Sequence, residues 1–153
     1  MSFLRYTGYS EFNFDRPDVK CGAFGGKGSG ADTIIRMPIV FVHGTCDVGY
    51  GRGGVDGYET WQTGFRSLVQ YFADLGYQKS EMYITTWGPA NNSQIASVYH
   101  TKAAVIGTRK FIEAVLTYTG AQEIIVIAHS NGVAIARKAI KGGTGYDHAA
   151  GSY

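Results

Sequence analysis

An α/β fold, with helices on both faces of a parallel sheet, is what this chain of 153 residues predicts, and two observations predict it. Short apolar runs and segments of helical periodicity alternate as strand, helix, strand, helix, strand, helix, the order that produces parallel strands joined by right-handed crossovers. The strands are also near-continuous apolar runs, as in Ile124-Ile-Val-Ile127, and such runs belong to strands covered on both faces.

Residues 1–36 carry scattered aromatics and the glycines Gly22, Gly25, Gly26, Gly28 and Gly30 without sustained periodicity. They are read as an extended N-terminal arm and loop, and residues 37–153 as the N-terminal part of one α/β domain. The fragment Gly22 to Lys27 is one residue short of a phosphate-binding loop and has Gly28 where such a loop needs Ser or Thr. Met37-Pro-Ile-Val-Phe-Val42 is the first buried strand, opened by Pro38 and closed by His43-Gly44. The loop from Thr45 to Gly57 contains a formal Gly-x-Gly-x-x-Gly at Gly49, Gly51 and Gly54, but those glycines do not join a strand directly to a helix, as nucleotide binding requires. A flexible loop is expected there.

Between Thr60 and Leu75 the residues Trp61, Phe65, Leu68, Phe72 and Leu75 recur on one helical face, and Gly76 ends the helix. Met82 to Trp87 is a strand stopped by Gly88-Pro89. Asn91 to Ser97 reads as loop or a frayed helix start. A helix over Lys102–Tyr118 presents Val105, Ile112 and Val115, flanked by Ala104 and Phe111, and closes at Gly120. The strand Ile124–Ile127 follows, and an alanine-rich helix then runs to about Lys141 and stops at Gly142-Gly143.

Composition bounds the rest. A chain of this length holds one domain with a modest core, and 44% apolar with 17% charged residues is ordinary for a soluble globular protein. The net charge is +2 and the fourteen basic residues are scattered, without the basic runs or aromatic–basic interleaving that would point to nucleic acid. No run approaches the length of a transmembrane helix. The start, Met1 to Gly8, lacks a basic region followed by an apolar one, so no secretion signal is visible. Cys21 and Cys46 suit one disulfide or two free thiols, and are too few for a zinc site.

Chemistry is expected at the strand-to-helix corner Ala128-His-Ser-Asn-Gly132. A serine nucleophile on such a corner sits in a strained turn whose neighbours two before and two after must be small. Ala128 adds one methyl to the usual glycine, and Gly132 keeps it. The same corner also suits a serine that caps a helix or holds a phosphate. The second strand end, His43-Gly44-Thr45, opens onto the same rim, since ligands of such sheets sit beyond the carboxyl ends of the strands. A serine attacking an ester carbonyl creates an oxyanion that needs fixed N–H donors. In α/β-hydrolases these come from the residue after the serine and from the loop after the third strand. Here they are the backbone N–H groups of Asn131 and Thr45, with Gly44 freeing the backbone to turn inward. His43, Gly44, Ala128, His129 and Gly132 are read as supports of the elbow and of the oxyanion loop.

Pro38-Ile-Val-Phe-Val-His-Gly44, Thr85-Thr-Trp-Gly88, Phe111-Ile-Glu-Ala-Val-Leu-Thr-Tyr-Thr-Gly120 and Ala128-His-Ser-Asn-Gly132 together resemble the class 2 lipases, small α/β-hydrolases that include a large nematode branch. The resemblance runs from about Gly22 to Gly143. It implies a three-layer α/β-hydrolase-type fold and a secreted enzyme that hydrolyses carboxylic esters, typically acylglycerols. It implies no organic cofactor and no metal, and a substrate met at a lipid–water interface. It matches Ser130 to the nucleophile and Thr45 and Asn131 to the oxyanion positions; Asn131 departs from the methionine often found there, although a backbone donor tolerates the change.

The expected order of a catalytic triad in this fold is Ser, then acid, then His. After Ser130 only Asp147 and His148 remain, adjacent on a glycine-rich tail, and they are read as a surface loop. His129 is expected to point away from Ser130, and His43 to brace the oxyanion loop. The chain is therefore expected to be truncated after the nucleophile helix and to lack the acid and histidine. In the usual hydrolase order the Ile124–Ile127 strand would then lie at an edge. A non-catalytic lipid-binding remnant, or an acyltransferase or amidase using the same serine, remain as alternatives.

Overall fold

The computed structural model describes residues 8–55, 57–97 and 100–153, apart from the side chain of Ser97. The start of the chain through Thr7 and Asp56 of the glycine-rich loop lie outside the described residues. A four-stranded sheet in the order β1-β3-β2-β4 forms the centre, built from β1 (Ala23–Gly25), β2 (Ile39–Val42), β3 (Met82–Thr85) and β4 (Ile125–Ala128). Strands β2, β3 and β4 are parallel, whereas β1 runs antiparallel to β3. The sheet is therefore mixed rather than purely parallel.

The strand β1 corrects the expectation of an irregular arm before residue 37. Gly25 is what admits it: a Cβ there would lie 1.9 Å from the Met82 carbonyl oxygen, so only glycine lets the arm reach the sheet edge. Phe14 from the same stretch is buried against Phe111, and Arg16 hydrogen-bonds the carbonyls of Thr86 and Gly88. The buried Glu81 carboxylate accepts the N–H groups of Ile35 and Arg36, each at 2.7 Å, and ties the arm's end to the foot of β3.

Three helices cover the sheet: α1 (Arg66–Asp74), α2 (Lys102–Thr119) and α3 (Asn131–Lys141). Side chains alternate across each strand. Val40, Val42 and Tyr83 pack on one face against Phe111, Ala114 and Val115 of α2 and Ala136 of α3. Ile39, Phe41, Met82 and Ile84 pack on the other against Phe65 and Val69. Helices thus lie on both faces, as an α/β fold requires. Helix α2 begins at Thr101, whose Oγ1 accepts the Ala104 N–H at 3.1 Å, and ends at Gly120 in a left-handed conformation. Among the described residues no helix is long and apolar enough to cross a membrane.

Helix α1 is shorter than its apolar pattern suggests. Gly64 has φ +55 and carries the chain so close to the glycine-rich loop that a Cβ would lie 2.1 Å from the Val48 carbonyl oxygen. The helix therefore starts only at Arg66, and Trp61 is no part of its inner face. The glycine-rich loop is itself packed: a Cβ on Gly51 would lie 2.2 Å from the Gln62 carbonyl oxygen, and one on Gly53 2.0 Å from that of Thr60. These glycines serve close backbone contact rather than the flexibility expected of them.

Strand β4 pairs with β2 alone among the described residues and stands at the sheet edge, where hydrolase order had put it. The tail departs from a plain loop. It forms a small hairpin of β5 (Tyr146–Asp147) and β6 (Gly151–Ser152), and Asp147 Oδ2 accepts the Lys102 N–H at 2.6 Å at the start of α2.

Candidate active site

Pairing between β2 and β4 brings the two special loops together. Val42 lies opposite Ala128, and the His129 N–H donates to the Val42 carbonyl at 3.1 Å. Continuing two residues past each strand sets Gly44 against Ser130. A Cβ on Gly44 would lie 3.0 Å from Ser130 Cβ and 3.5 Å from its Oγ. Gly44 is absent from the residues with positive φ, so its role is to make room for Ser130 rather than to supply an unusual backbone angle.

Ser130 has φ +54 and ψ −131 and immediately precedes α3. For a residue with a side chain this conformation is strained, at a cost of about 1–3 kcal/mol, and such strain concentrates at functional sites. Gly132 makes the corner possible. A Cβ on it would lie 2.3 Å from the His43 carbonyl oxygen and 2.4 Å from that of Val42. Asn131 is the first residue of α3, a position whose N–H has no intrahelical acceptor.

His43 is buried, with both ring nitrogens engaged. One, Nδ1, stands 2.7 Å from the Gly44 carbonyl oxygen, and Nε2 accepts the Trp87 N–H at 3.1 Å. That pair of partners fits the neutral ring with its proton on Nδ1. The Trp87 indole stacks on the imidazole, 5.3 Å between centroids, and donates its Nε1–H to the His43 carbonyl at 2.7 Å. Burial pulls the His43 pKa from 6.5 down to about 4. A group depressed in this way leaves stability whole above the unfolded value and removes it as pH falls toward the folded one. Acidification from pH 6.5 to about 4 should therefore cost about 3 kcal/mol through this residue. Urea unfolding at several pH values checks this, and His43→Gln should flatten that part of the profile.

The loop after His43 is held by two further side chains. Gln62 is buried, donates Nε2–H to the Cys46 carbonyl at 2.6 Å and the Ala90 carbonyl at 3.3 Å, and accepts the Glu59 N–H at 2.8 Å. Asp47 Oδ1 accepts the N–H groups of Val48 at 2.8 Å and Gly64 at 3.2 Å. Burial raises the Asp47 pKa, while those two N–H donors and the nearby His129 oppose the rise. Cys46 itself is buried at φ +58, with its thiol pushed up by burial. Both cysteines are free thiols.

A cavity of about 560 Å³ is lined by Gly44, Thr45, Asp47, Trp61, Asn92, Ile95, His129 and Ser130. His129 Nδ1 would lie 3.3 Å from a Cβ on Gly44, so its ring borders the Ser130 cavity and does not point away from it. Strand alternation misled here because Ser130 leaves the strand at positive φ and no longer follows the two-residue period. Trp87, Gln62, Asp47 and Trp61 were not singled out as site residues from sequence. Only Trp87 left a signal, standing two residues beyond the end of β3. Among the described residues no cluster of three or more His, Cys, Asp or Glu is gathered for a metal ion.

Against known protein families, the family described as Lipase (class 2) matches residues 36–151. Among curated proteins none matches the chain.

Proposed function

The chain belongs to the class 2 lipase family, and on that premise we propose that it hydrolyses carboxylic esters of the acylglycerol kind, with the Ser130 hydroxyl as nucleophile. Family membership points to lipase or esterase activity; the assignment to Ser130 rests on one observation above the rest. A serine is held at φ +54 and ψ −131 on a strand-to-helix corner, the strained geometry of a nucleophile elbow. The same membership is the ground for proposing an extracellular setting and a substrate met at a lipid–water interface.

In this reading Ser130 Oγ attacks the ester carbonyl carbon while a base takes its proton. The carbonyl electrons move onto oxygen, and the backbone N–H groups of Thr45 and Asn131 meet the charge that develops. Collapse of the tetrahedral intermediate expels the alcohol with a proton and leaves an acyl-serine, which water then hydrolyses. The base is not His43, whose ring nitrogens are both committed. Asp147 is not its carboxylate partner, since it caps α2.

A small fluorophosphonate should react with the protein and leave its phosphonyl group on the peptide containing Ser130; an adduct found elsewhere would overturn the assignment. Asn131→Ala should be mild, because the donor is the backbone. Asn131→Pro removes that N–H and also strains the helix start, because a proline restricts the residue before it and Ser130 stands at φ +54. It should lower kcat by about 10²–10³, with folding checked by circular dichroism. Equal damage from alanine would give the Asn131 side chain a role this reading does not contain.

A further inference from the structure

We propose that Arg16 and Thr86 are positioning residues for the Ser130 site: they clamp the turn after β3 to the N-terminal arm, and that turn holds the oxyanion loop in place beside the nucleophile. The inference rests on the reading of Ser130 as nucleophile and gives the arm a part in its reaction. Neither Arg16 nor Thr86 lines the Ser130 cavity, so both would act through other residues.

The arm grips the stretch from Thr85 to Gly88 at several points. Arg16 Nη1 donates to the Thr86 carbonyl and, at 3.0 Å, to the Gly88 carbonyl, so one nitrogen spans both flanks of Trp87. The Arg16 Nε and Nη2 groups are taken by the Asp18 carboxylate, which aims Nη1 at the turn. The Gly22 carbonyl accepts the Thr86 N–H and the Thr86 hydroxyl, each at 2.7 Å. The Phe14 carbonyl accepts the Thr85 hydroxyl at 2.8 Å. The arm is curled tightly to present these groups together: Arg16 stands at φ +45, and a Cβ on Gly22 would lie 2.8 Å from that of Arg16.

The same stretch grips the oxyanion loop. Trp87 holds His43 twice, by its backbone N–H to Nε2 and by its indole N–H to the carbonyl. The buried Thr86 hydroxyl accepts the Gly49 N–H at 2.8 Å while donating to Gly22, so a single oxygen joins the arm to the loop. From His43 the connection to the elbow is direct. Its carbonyl is the oxygen against which Gly132 packs, and Gly44, which makes room for Ser130, is the next residue. A shift of the turn would therefore pass through Trp87 to His43 and alter the approach of Thr45 to Ser130. A misplacement of about 1 Å is enough to cost about 10²-fold in rate. Lysine at position 16 would keep the charge, but it has no planar fork that could bind Asp18 and both carbonyls at once.

The test measures the full chain's fluorophosphonate labelling rate per folded molecule, and kcat and KM on p-nitrophenyl acetate. Arg16→Gln should lower the labelling rate and kcat by about ten- to hundredfold, with KM within about twofold of the parent because Arg16 is outside the cavity. Arg16→Lys, the milder change, should still lose about fivefold or more. Thr86→Val should lose about tenfold, and Thr86→Ser should return to within about threefold of the parent because serine restores the hydroxyl. Glu81→Gln is the comparison for a purely structural role. It weakens the arm's tie at the foot of β3, so it should cost stability in urea while labelling per folded molecule stays within about twofold. Hydrogen exchange of the Trp87 indole N–H, its signal assigned with Trp87→Phe, should be about tenfold faster or more in Arg16→Gln. Parental labelling in folded Arg16→Gln and Arg16→Lys, no recovery in Thr86→Ser, or an equal loss in Glu81→Gln would overturn the inference. An adduct away from Ser130 would instead sink the nucleophile. The indole exchange rate would then still decide the clamp, which an unchanged rate overturns.

Discussion

Ser130→Ala should lower kcat on a short-chain ester by about 10⁴–10⁶ and abolish fluorophosphonate labelling, because removal of a covalent nucleophile leaves only positioning and electrostatic terms. Its stability should stay close to the parent's, since alanine keeps a Cβ at φ +54 and retains the strain. Ser130→Gly should be equally inactive and yet more stable, by about 1 kcal/mol, since glycine adopts this conformation without the steric cost. Two equally dead variants with different stabilities would be the signature of strain held for function. Persistent labelling in Ser130→Ala would remove the nucleophile assignment. A Ser130→Gly protein no more stable than Ser130→Ala would remove the strain argument and leave the assignment to labelling alone.

Much of the fold could be read from local pattern because the pattern and the packing agree. Ile39 to Val42 and Met82 to Thr85 are apolar on both sides and buried on both sides, and α2 ends at Gly120 because a left-handed residue was needed there and glycine supplies it. The failures share a physical cause. Gly25, Gly51 and Gly64 look like loop glycines, yet each is required where two backbones nearly touch, and such contacts leave no periodic trace. Trp61 fell on the helical stripe of α1 by spacing alone, and the close approach at Gly64 removed it from the helix. That stripe hid the place of Trp61 beside the Ser130 cavity.

The candidate site was legible in the same uneven way. Ser130, Gly132, Gly44 and His43 stand out because a corner and a strand end are local features. Their mutual approach depends on the register of β2 with β4, which sets Val42 opposite Ala128. The hydrogen bonds that hold the loop come from Gln62, Asp47 and Trp87, each far along the chain from at least one partner. A buried glutamine carries no signature of such a task, and a tryptophan just past a strand end marks the rim without naming its partners.

The register of that approach can be broken by one methyl group. Gly132→Ala puts a Cβ 2.3 Å from the His43 carbonyl oxygen and 2.4 Å from that of Val42, and neither can yield cheaply. The Val42 carbonyl accepts the His129 N–H, and the His43 carbonyl accepts the Trp87 indole N–H. Relief requires α3 to move away from β2, carrying Ser130 with it and widening the gap to Gly44 and Thr45. The cost should reach about 3 kcal/mol, the upper end for overpacking, because the clash is with paired backbone rather than with a flexible side chain. Whatever protein remains folded should also react more slowly with fluorophosphonate, since the same displacement separates the nucleophile from its oxyanion donors. Ala128→Gly is the contrast. It removes the methyl from the other flank of the elbow, restores the smaller residue the corner usually carries, and should leave the labelling rate within about threefold of the parent. Urea unfolding and labelling rates on the two variants check both halves. A Gly132→Ala protein as stable and as reactive as the parent would mean that α3 can slide on β2, and that the close contact at Gly132 does not hold Ser130 in place.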